Sequence, residues 1–410
     1  MSSRVGGQPP PAVSRPTATS NAKADAPVAT PPPPQKKKAD SDYQTKQKKL
    51  VNTTGAFKAV AKAPPKVDPE LAKLVGNLRT AVNGGGAAAT KATVAATLKK
   101  IGNDASKVGD ELKKLTPDQR KAVWDALPAK VKEAAGKSPN GAIAMLQVQS
   151  MSDAQLKTAA ADMRAGKITN QSMQLSIATE LAARTKWGKD DPHQVDLQRE
   201  MVVSGKVSFQ DGRGAARTTT EGVITLDSKL AKSPEALAAT LAHEGTHAAH
   251  ANGWGMMATL AEETSGNLAS AQVWGEIGNP GDPDITTNMR DGLNDYAAQF
   301  KAFGEDGVKA RVAAEYVSEA SKRDSAAERV KVREVISDLK ADPGALKAMK
   351  AEYALEIAKG LLRIDQDQPS VKDLGKAFQN LPANVRTELD GLLKEHGFDD
   401  ATRTALVEGK

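Results

Sequence analysis

Apolar residues recur at helical spacing along most of the chain after residue 66. Apolar positions three or four residues apart indicate amphipathic helices that bury one face against each other. The stripes consist of Leu71, Leu74, Val75, Leu78 and Val82, then Val94, Leu98 and Ile101, then Val123, Trp124, Leu127 and Val131 after a Thr116-Pro117 start, and then the segments 145–163 and 173–181. We therefore predict a helical bundle over residues 67–190.

Between residues 194 and 230 the apolar residues recur at every second position instead of at helical spacing. The segments 206–210 (KVSFQ) and 222–227 (GVITLD) alternate apolar and polar residues, and a turn-prone stretch, DGRGAARTTTE, separates them. Both segments predict short strands. Beyond a Pro- and Asp-rich loop after residue 278, helical patterns return over 293–303, 308–339 and 346–364. The predicted fold class is mainly α with a small β element, an α+β fold.

The most informative helical pattern is the segment 233–253, SPEALAATLAHEGTHAAHANG. Ser233 predicts an N-cap and Pro234 suits the first helical position. His243 and His247 are four residues apart, so both imidazoles lie on one face and can reach one point. Zinc accepts imidazole nitrogens, and Glu244 is close enough to take a proton from a water there. The chain has no Cys, which leaves His and carboxylates as metal ligands.

This pattern resembles the HExxH motif of zinc metallopeptidases, the zincins. The resemblance implies one zinc ion per chain, held in part by His243 and His247, with Glu244 as the general base. A metzincin would have Gly where this chain has His250, and His where it has Gly253. The similarity is therefore to gluzincins, in which a following helix returns a carboxylate to the metal.

The next helical pattern carries two candidates for that carboxylate, Glu262 and Glu263. Glu263 is the preferred ligand because Asn267 lies one turn on, where gluzincins often place a partner for a zinc-bound His; Glu262 is the alternative ligand. A peptidase also needs a donor to the oxyanion of the transition state, and His250, Tyr296 and Tyr316 are candidates. His250 could instead be an ordinary polar neighbour.

The resemblance also implies a zincin-like catalytic unit over residues 191–305, flanked by the bundle at 67–190 and by a C-terminal helical region at 306–410. In zincins an edge strand lies beside the cleft and can pair with an extended substrate. The segment 223–227 is the candidate for that strand. The alternative is a hairpin that only covers the active helix.

Residues 1–66 differ in composition from the rest and predict a disordered tail. They hold 11 of the 22 Pro, and they carry 12 basic against 3 acidic residues, so the net charge of +7 comes from the tail. The basic segment 36–49 favours a solvated linker or an acidic partner. Specific nucleic-acid recognition is not expected, because the segment has few aromatic residues. No signal peptide or membrane span is evident, so we expect a cytoplasmic protein or one exported by a specialised secretion system.

The sequence thus favours a zinc-dependent endopeptidase that acts on protein or peptide substrates, similar to bacterial effectors or toxins. One alternative keeps zinc hydrolysis but cleaves a non-protein amide such as a cell-wall peptide. The other is a helical adaptor protein with a basic tail and a structural or inactive HExxH.

Overall fold

The computed structural model describes residues 80, 92–96, 115–127, 129, 132, 141–212, 216–250, 259–323, 325–364 and 368–410. The predicted tail at 1–66 and its basic segment lie outside these residues, and so does the side chain of His250. The described part of the chain is mainly helical with a three-stranded sheet, which confirms the predicted fold class at that level. None of the described helices has a segment long and apolar enough to cross a membrane.

Residues 92–96 are helical, and the helices for which both ends lie in the described residues are numbered here in chain order. They are α1 Pro117–Ala126, α2 Gly141–Gln149, α3 Asp153–Arg164, α4 Gln171–Arg184, α5 Lys186–Asp190, α6 Pro192–Val203, α7 Pro234–His250, α8 Leu260–Ile277, α9 Thr287–Phe303, α10 Glu305–Ser321, α11 Ala326–Ala341, α12 Pro343–Lys347, α13 Ala351–Ile364, α14 Gln368–Phe378, α15 Ala383–Glu395 and α16 Asp400–Glu408. A 3₁₀ turn, Ser228–Lys232, leads into α7.

Side-chain caps explain where many of these helices begin. Thr116 accepts a hydrogen bond from the Gln119 N–H and completes a capping box, as the sequence predicts. Thr259 caps α8 in the same way by accepting from the Glu262 N–H. Ser233 occupies the predicted N-cap position of α7, because its carbonyl oxygen accepts from the Leu237 N–H at 2.8 Å, but its buried hydroxyl does not cap the helix. Pro234 does occupy the first position of α7.

Two long helical patterns are interrupted by caps. The pattern at 308–339 forms two helices, because α10 ends at Ser321 and Ser325 caps the start of α11. The pattern at 145–163 is divided between α2 and α3, and Ser152 caps the second helix. The apolar stripe continues across each break, so the period alone does not reveal it.

The sheet contains β1 Val207–Gln210, β2 Ala216–Thr218 and β3 Ile224–Asp227, in the order β1-β3-β2. β1 runs parallel to β3, and β2 runs antiparallel to it. The predicted edge strand at 223–227 is therefore central, and the expected edge strand beside the cleft is wrong. The two predicted strands do not form a hairpin either, because β2 arises from the segment that the sequence marks as a turn.

Two hydrophobic cores organise the described residues. The first extends from Val94 to Leu293 and includes α1 to α7, the sheet and parts of α8 and α9. The second includes Leu260 and Tyr296 and is built largely by α10 to α16. The bundle predicted at 67–190 thus shares a core with α7. Shared packing does not test independent folding, so the three-part division of residues 67–410 stays a prediction.

The second core contains a polar group that we call the Arg311 cluster: Arg311, Asp295, Lys350, Tyr353 and Tyr296. Arg311 Nε lies 2.9 Å from Asp295 Oδ2, and the guanidinium lies 5.4 Å and 5.5 Å from the ring centroids of Tyr296 and Tyr353. Asp295 also accepts hydrogen bonds from Lys350 at 2.9 Å and from the Tyr353 hydroxyl at 2.6 Å. The cluster joins α9, α10 and α13.

Candidate metal centre

Helix α7 holds both histidines of the HExxH motif on a rigid support. One face of the helix is buried in the first core through Leu237, Ala238 and Leu241, each no more than 1% exposed. The side chains of His243 and His247 keep 19% and 13% exposure on the opposite side. The many alanines of α7 favour the helix and allow its neighbours to approach closely.

Two glycines allow neighbouring helices to pack closely against the motif. A Cβ on Gly266 of α8 would lie 3.1 Å from His243 Nδ1, so the imidazole packs directly against the α8 backbone. On the other side of α7, a Cβ on Gly245 would lie 2.6 Å from Gln198 Nε2 of α6. Larger residues at these positions would push the helices apart or rotate the imidazole.

Helix α8 brings Glu263 to the two imidazoles. The two Nε2 atoms of His243 and His247 are 3.0 Å apart, and the Glu263 carboxylate lies 3.6 Å from the first and 3.7 Å from the second. One ligand atom from each residue lies within 4.8 Å of the others. Ligand atoms about 2.1 Å from a tetrahedral zinc would be about 3.4 Å apart. The donor set and its spacing therefore fit a metal ion.

Glu262 takes a different place from Glu263. Its Oε1 lies 3.1 Å from Nδ1 of His247, on the side of the ring away from the shared point. A carboxylate at Nδ1 holds a proton there and leaves Nε2 as the metal-binding nitrogen. The rotation of α8 thus puts Glu263 at the ligand position and Glu262 behind His247.

Glu244 lies next to His243 and is only 7% exposed. Thr218, the last residue of β2, donates a hydrogen bond from its hydroxyl to Glu244 Oε2 at 2.5 Å. This distance is typical of a charge-assisted O–H···O⁻ bond. The sheet therefore reaches the motif through β2, a strand that the sequence did not predict.

Burial and mutual charge shift the pKa values in this site. Burial, and then the charge of His247, lower the pKa of His243 to about 3, so its imidazole is neutral and can bind a metal. Burial opposes the charge of His247, but the hydrogen bond to Glu262 and the charges of Glu263 and Glu244 raise its pKa overall. Burial also raises the pKa of Glu244 and of Glu263. Perturbed groups close together are typical of functional sites.

The remaining sequence candidates lie in other settings. Asn267 donates from its side-chain amide to the Glu263 carbonyl oxygen at 2.9 Å, within its own helix, and Glu262 rather than Asn267 contacts a histidine ring. Tyr296 is buried and donates from its hydroxyl to Glu315 at 2.6 Å. Tyr316 on α10 is half-buried, and burial followed by the charge of Glu263 raises its pKa to about 12.

Sequence reasoning missed Thr218 and Gly266. The run Ala216 to Thr220 contains three consecutive threonines, and β-branched residues favour strands, so this run held a weak signal for β2. No local pattern distinguishes Gly266 from other helical glycines. Comparison of the chain with known protein families, curated proteins and solved structures finds no match.

Proposed function

We propose that this chain is a zinc-dependent endopeptidase. The observation that carries the proposal is the approach of Glu263 to both Nε2 atoms of the HExxH pair, at 3.6 and 3.7 Å. Two imidazoles and one carboxylate are the ligand set of a catalytic zinc site that keeps one position open. When bound, zinc supplies a Lewis acid that activates water near neutral pH.

Each side chain around the proposed zinc position has its own role. His243, His247 and Glu263 would hold the metal, and Glu262 fixes the tautomer of His247 by accepting a hydrogen bond from its Nδ1–H. Glu244 accepts a proton from the attacking water and passes it to the leaving amine. Its burial raises its pKa, which makes it a better base than an exposed carboxylate.

An extended peptide is the substrate that suits the sheet beside the motif. Among the described strands, β2 is the edge strand nearest to Glu244, since Thr218 contacts that residue. Peptides add to an exposed sheet edge through main-chain hydrogen bonds. We propose that β2, not β3, binds the substrate backbone.

A tyrosine from the second core is the candidate donor to the oxyanion. The hydroxyl of Tyr296 already donates a hydrogen bond to Glu315. Tyr316 is half-buried and interacts electrostatically with Glu263. Glu263 also raises the pKa of Tyr296, so both tyrosines remain candidates for this role.

The proposal is tested with the zinc-loaded full chain and dye-quenched casein. We expect Glu244→Gln to lower hydrolysis by about 100-fold or more, since general-base catalysis contributes about 10²–10⁴. Zinc content should stay near one per chain in this variant, measured by elemental analysis. Glu352→Gln, on the exposed face of α13, is the matched control and should keep full activity.

Retained hydrolysis in Glu244→Gln would contradict the mechanism. A folded wild type that neither binds added zinc nor cleaves casein would contradict the proposed function and turn attention to the helical adaptor. Zinc binding without casein cleavage would direct the search to non-protein amides.

A further inference from the structure

The backbone of Thr218 faces the outer edge of the described three-stranded sheet. Thr218 lies opposite Ile224 in the antiparallel pair of β2 and β3. The Ile224 N–H, however, donates to the Lys206 carbonyl oxygen at 2.9 Å, on the β1 side. Residues opposite each other in an antiparallel ladder alternate between hydrogen-bonded and non-hydrogen-bonded pairs. Thr218 and Ile224 form a non-hydrogen-bonded pair, so the N–H and C=O of Thr218 point away from β3.

The side chain of the same residue reaches the general base. Its hydroxyl lies 2.5 Å from Glu244 Oε2 and 3.2 Å from the Glu244 carbonyl oxygen. A hydroxyl has one proton, and the shorter contact shows that the carboxylate receives it. No other described side chain donates a hydrogen bond to this carboxylate. Thr218 is thus the one hydrogen-bond donor that the described side chains offer to this buried carboxylate.

We propose that Thr218 is a positioning residue that links an extended peptide on β2 to the orientation of the Glu244 carboxylate. This inference rests on the proposed peptidase function. A peptide paired with the N–H and C=O of Thr218 fixes the backbone from which the hydroxyl projects. The hydroxyl then holds Oε2 of Glu244, so that substrate binding and the orientation of the base depend on one residue.

Loss of the hydroxyl should therefore affect turnover more than binding. In Thr218→Val the shape of the residue is kept and the backbone can still pair with a peptide. We expect kcat to fall about 10- to 100-fold, a part of the full contribution of a general base, with KM changed less than about threefold. Thr218→Ser keeps the hydroxyl and should retain most of the activity.

The kinetic test uses the zinc-loaded full chain and a quenched-fluorescence peptide copied from a casein cleavage site. Thr220→Val is the matched control, because Thr220 is a nearby threonine, half-buried like Thr218, and its hydroxyl donates to Glu221 rather than to Glu244. We expect wild-type kinetics from this control. An unchanged kcat in Thr218→Val, or a loss in Thr218→Ser equal to that in Thr218→Val, would overturn the positioning role.

A second test does not depend on activity. The Tm of the zinc-free protein is measured for wild type, Thr218→Val, Glu244→Ala and the double variant. A hydrogen bond between the two side chains predicts that Thr218→Val changes Tm differently in the wild-type and Glu244→Ala backgrounds, and the cycle cancels the strand preference of Val. Equal shifts in both backgrounds would overturn the inference.

The two tests distinguish a failure of the proposed peptidase function from a failure of the proposed role of Thr218. If the wild type cleaves no peptide while the Tm cycle shows coupling, the peptidase function fails and the Thr218–Glu244 contact stands as structure only. If the wild type cleaves the peptide and the cycle shows no coupling, the peptidase function stands and the role of Thr218 is wrong.

Discussion

The candidate metal centre and the Arg311 cluster both lie between packed helices, but their charges are arranged in opposite ways. In the Arg311 cluster, Asp295 receives donors from Arg311, Lys350 and Tyr353, so each polar atom of its carboxylate has a partner. In the candidate metal centre, three groups that can donate electron pairs converge on one point. No described lysine or arginine forms a salt bridge with Glu263. A cluster in which every polar atom has a hydrogen-bond partner stabilises a fold. Electron-pair donors that converge without such partners indicate a site for a bound ligand.

The largest expected effect distinguishes the roles of Glu262 and Glu263 in the candidate metal centre. Glu263→Ala should lose stoichiometric zinc, because a ligand is removed, whereas Glu262→Ala should lower zinc affinity by about 10- to 100-fold, as removal of an outer partner does. Competition with a chromophoric chelator measures both affinities. Zinc retained in Glu263→Ala but lost in Glu262→Ala would exchange their roles.

In the Arg311 cluster we expect the converse, a loss of stability without loss of zinc. Arg311→Met removes one donor from a partly buried carboxylate and should lower the free energy of unfolding by about 1–2 kcal/mol. Urea unfolding of the zinc-free protein measures this change. The same variant should bind zinc like wild type. A zinc affinity that falls tenfold or more would show that the two regions are coupled.

Gly266 allows a smaller test of the packing around His243. Gly266→Ala places a methyl group 3.1 Å from the ring, so the imidazole must move by a few tenths of an ångström and zinc affinity should fall a few-fold. Gly292→Ala, inside α9 with nothing within 4 Å, is the matched control. It should leave zinc affinity unchanged and raise stability by about 0.5–1 kcal/mol. Equal zinc affinities in both variants would contradict the close approach of α8.

The smallest effect is the pH dependence of the Arg311 cluster. Asp295 is partly buried, yet its hydrogen bonds with Tyr353 and Lys350 and the charges of Lys350 and Arg311 lower its pKa overall. A carboxyl group whose pKa is lower in the folded than in the unfolded protein stabilises the fold at pH values above the unfolded-state pKa. This stabilisation is lost as the pH falls through the folded-state pKa. Wild type should therefore lose Tm more steeply than Asp295→Asn below about pH 4. Parallel curves would contradict this assignment.

Local sequence features predicted the helices better than their arrangement. Thr116 and the apolar residues Val123 and Trp124 mark α1, because capping and periodicity are properties of neighbouring residues. Most of the stripes at 71–82 and 94–101 lies outside the described residues. The breaks before Ser152 and Ser325 were missed because the stripe continues through them. β2 was missed because it has three residues, and the central position of β3 depends on partners distant in sequence.

The site shows the same limit. The spacing of His243 and His247 follows from one helix and was readable in the sequence. The different places of Glu262 and Glu263 depend on how α8 is rotated against α7, which no local pattern specifies. The contact of Thr218 with Glu244 requires the sheet and α7 to meet, so it could not be predicted from either segment alone.

The position of Glu263 in the chain has a consequence for the order of assembly. His243 and Glu263 are 20 residues apart, whereas Asp295 and Tyr353 are 58 apart. Closing a short loop costs less entropy than closing a long one. A newly made chain that has reached α8 already contains all three candidate ligands. The Arg311 cluster forms only after α13 has been made. Under the proposed function, metal capture can therefore precede completion of the second core during synthesis.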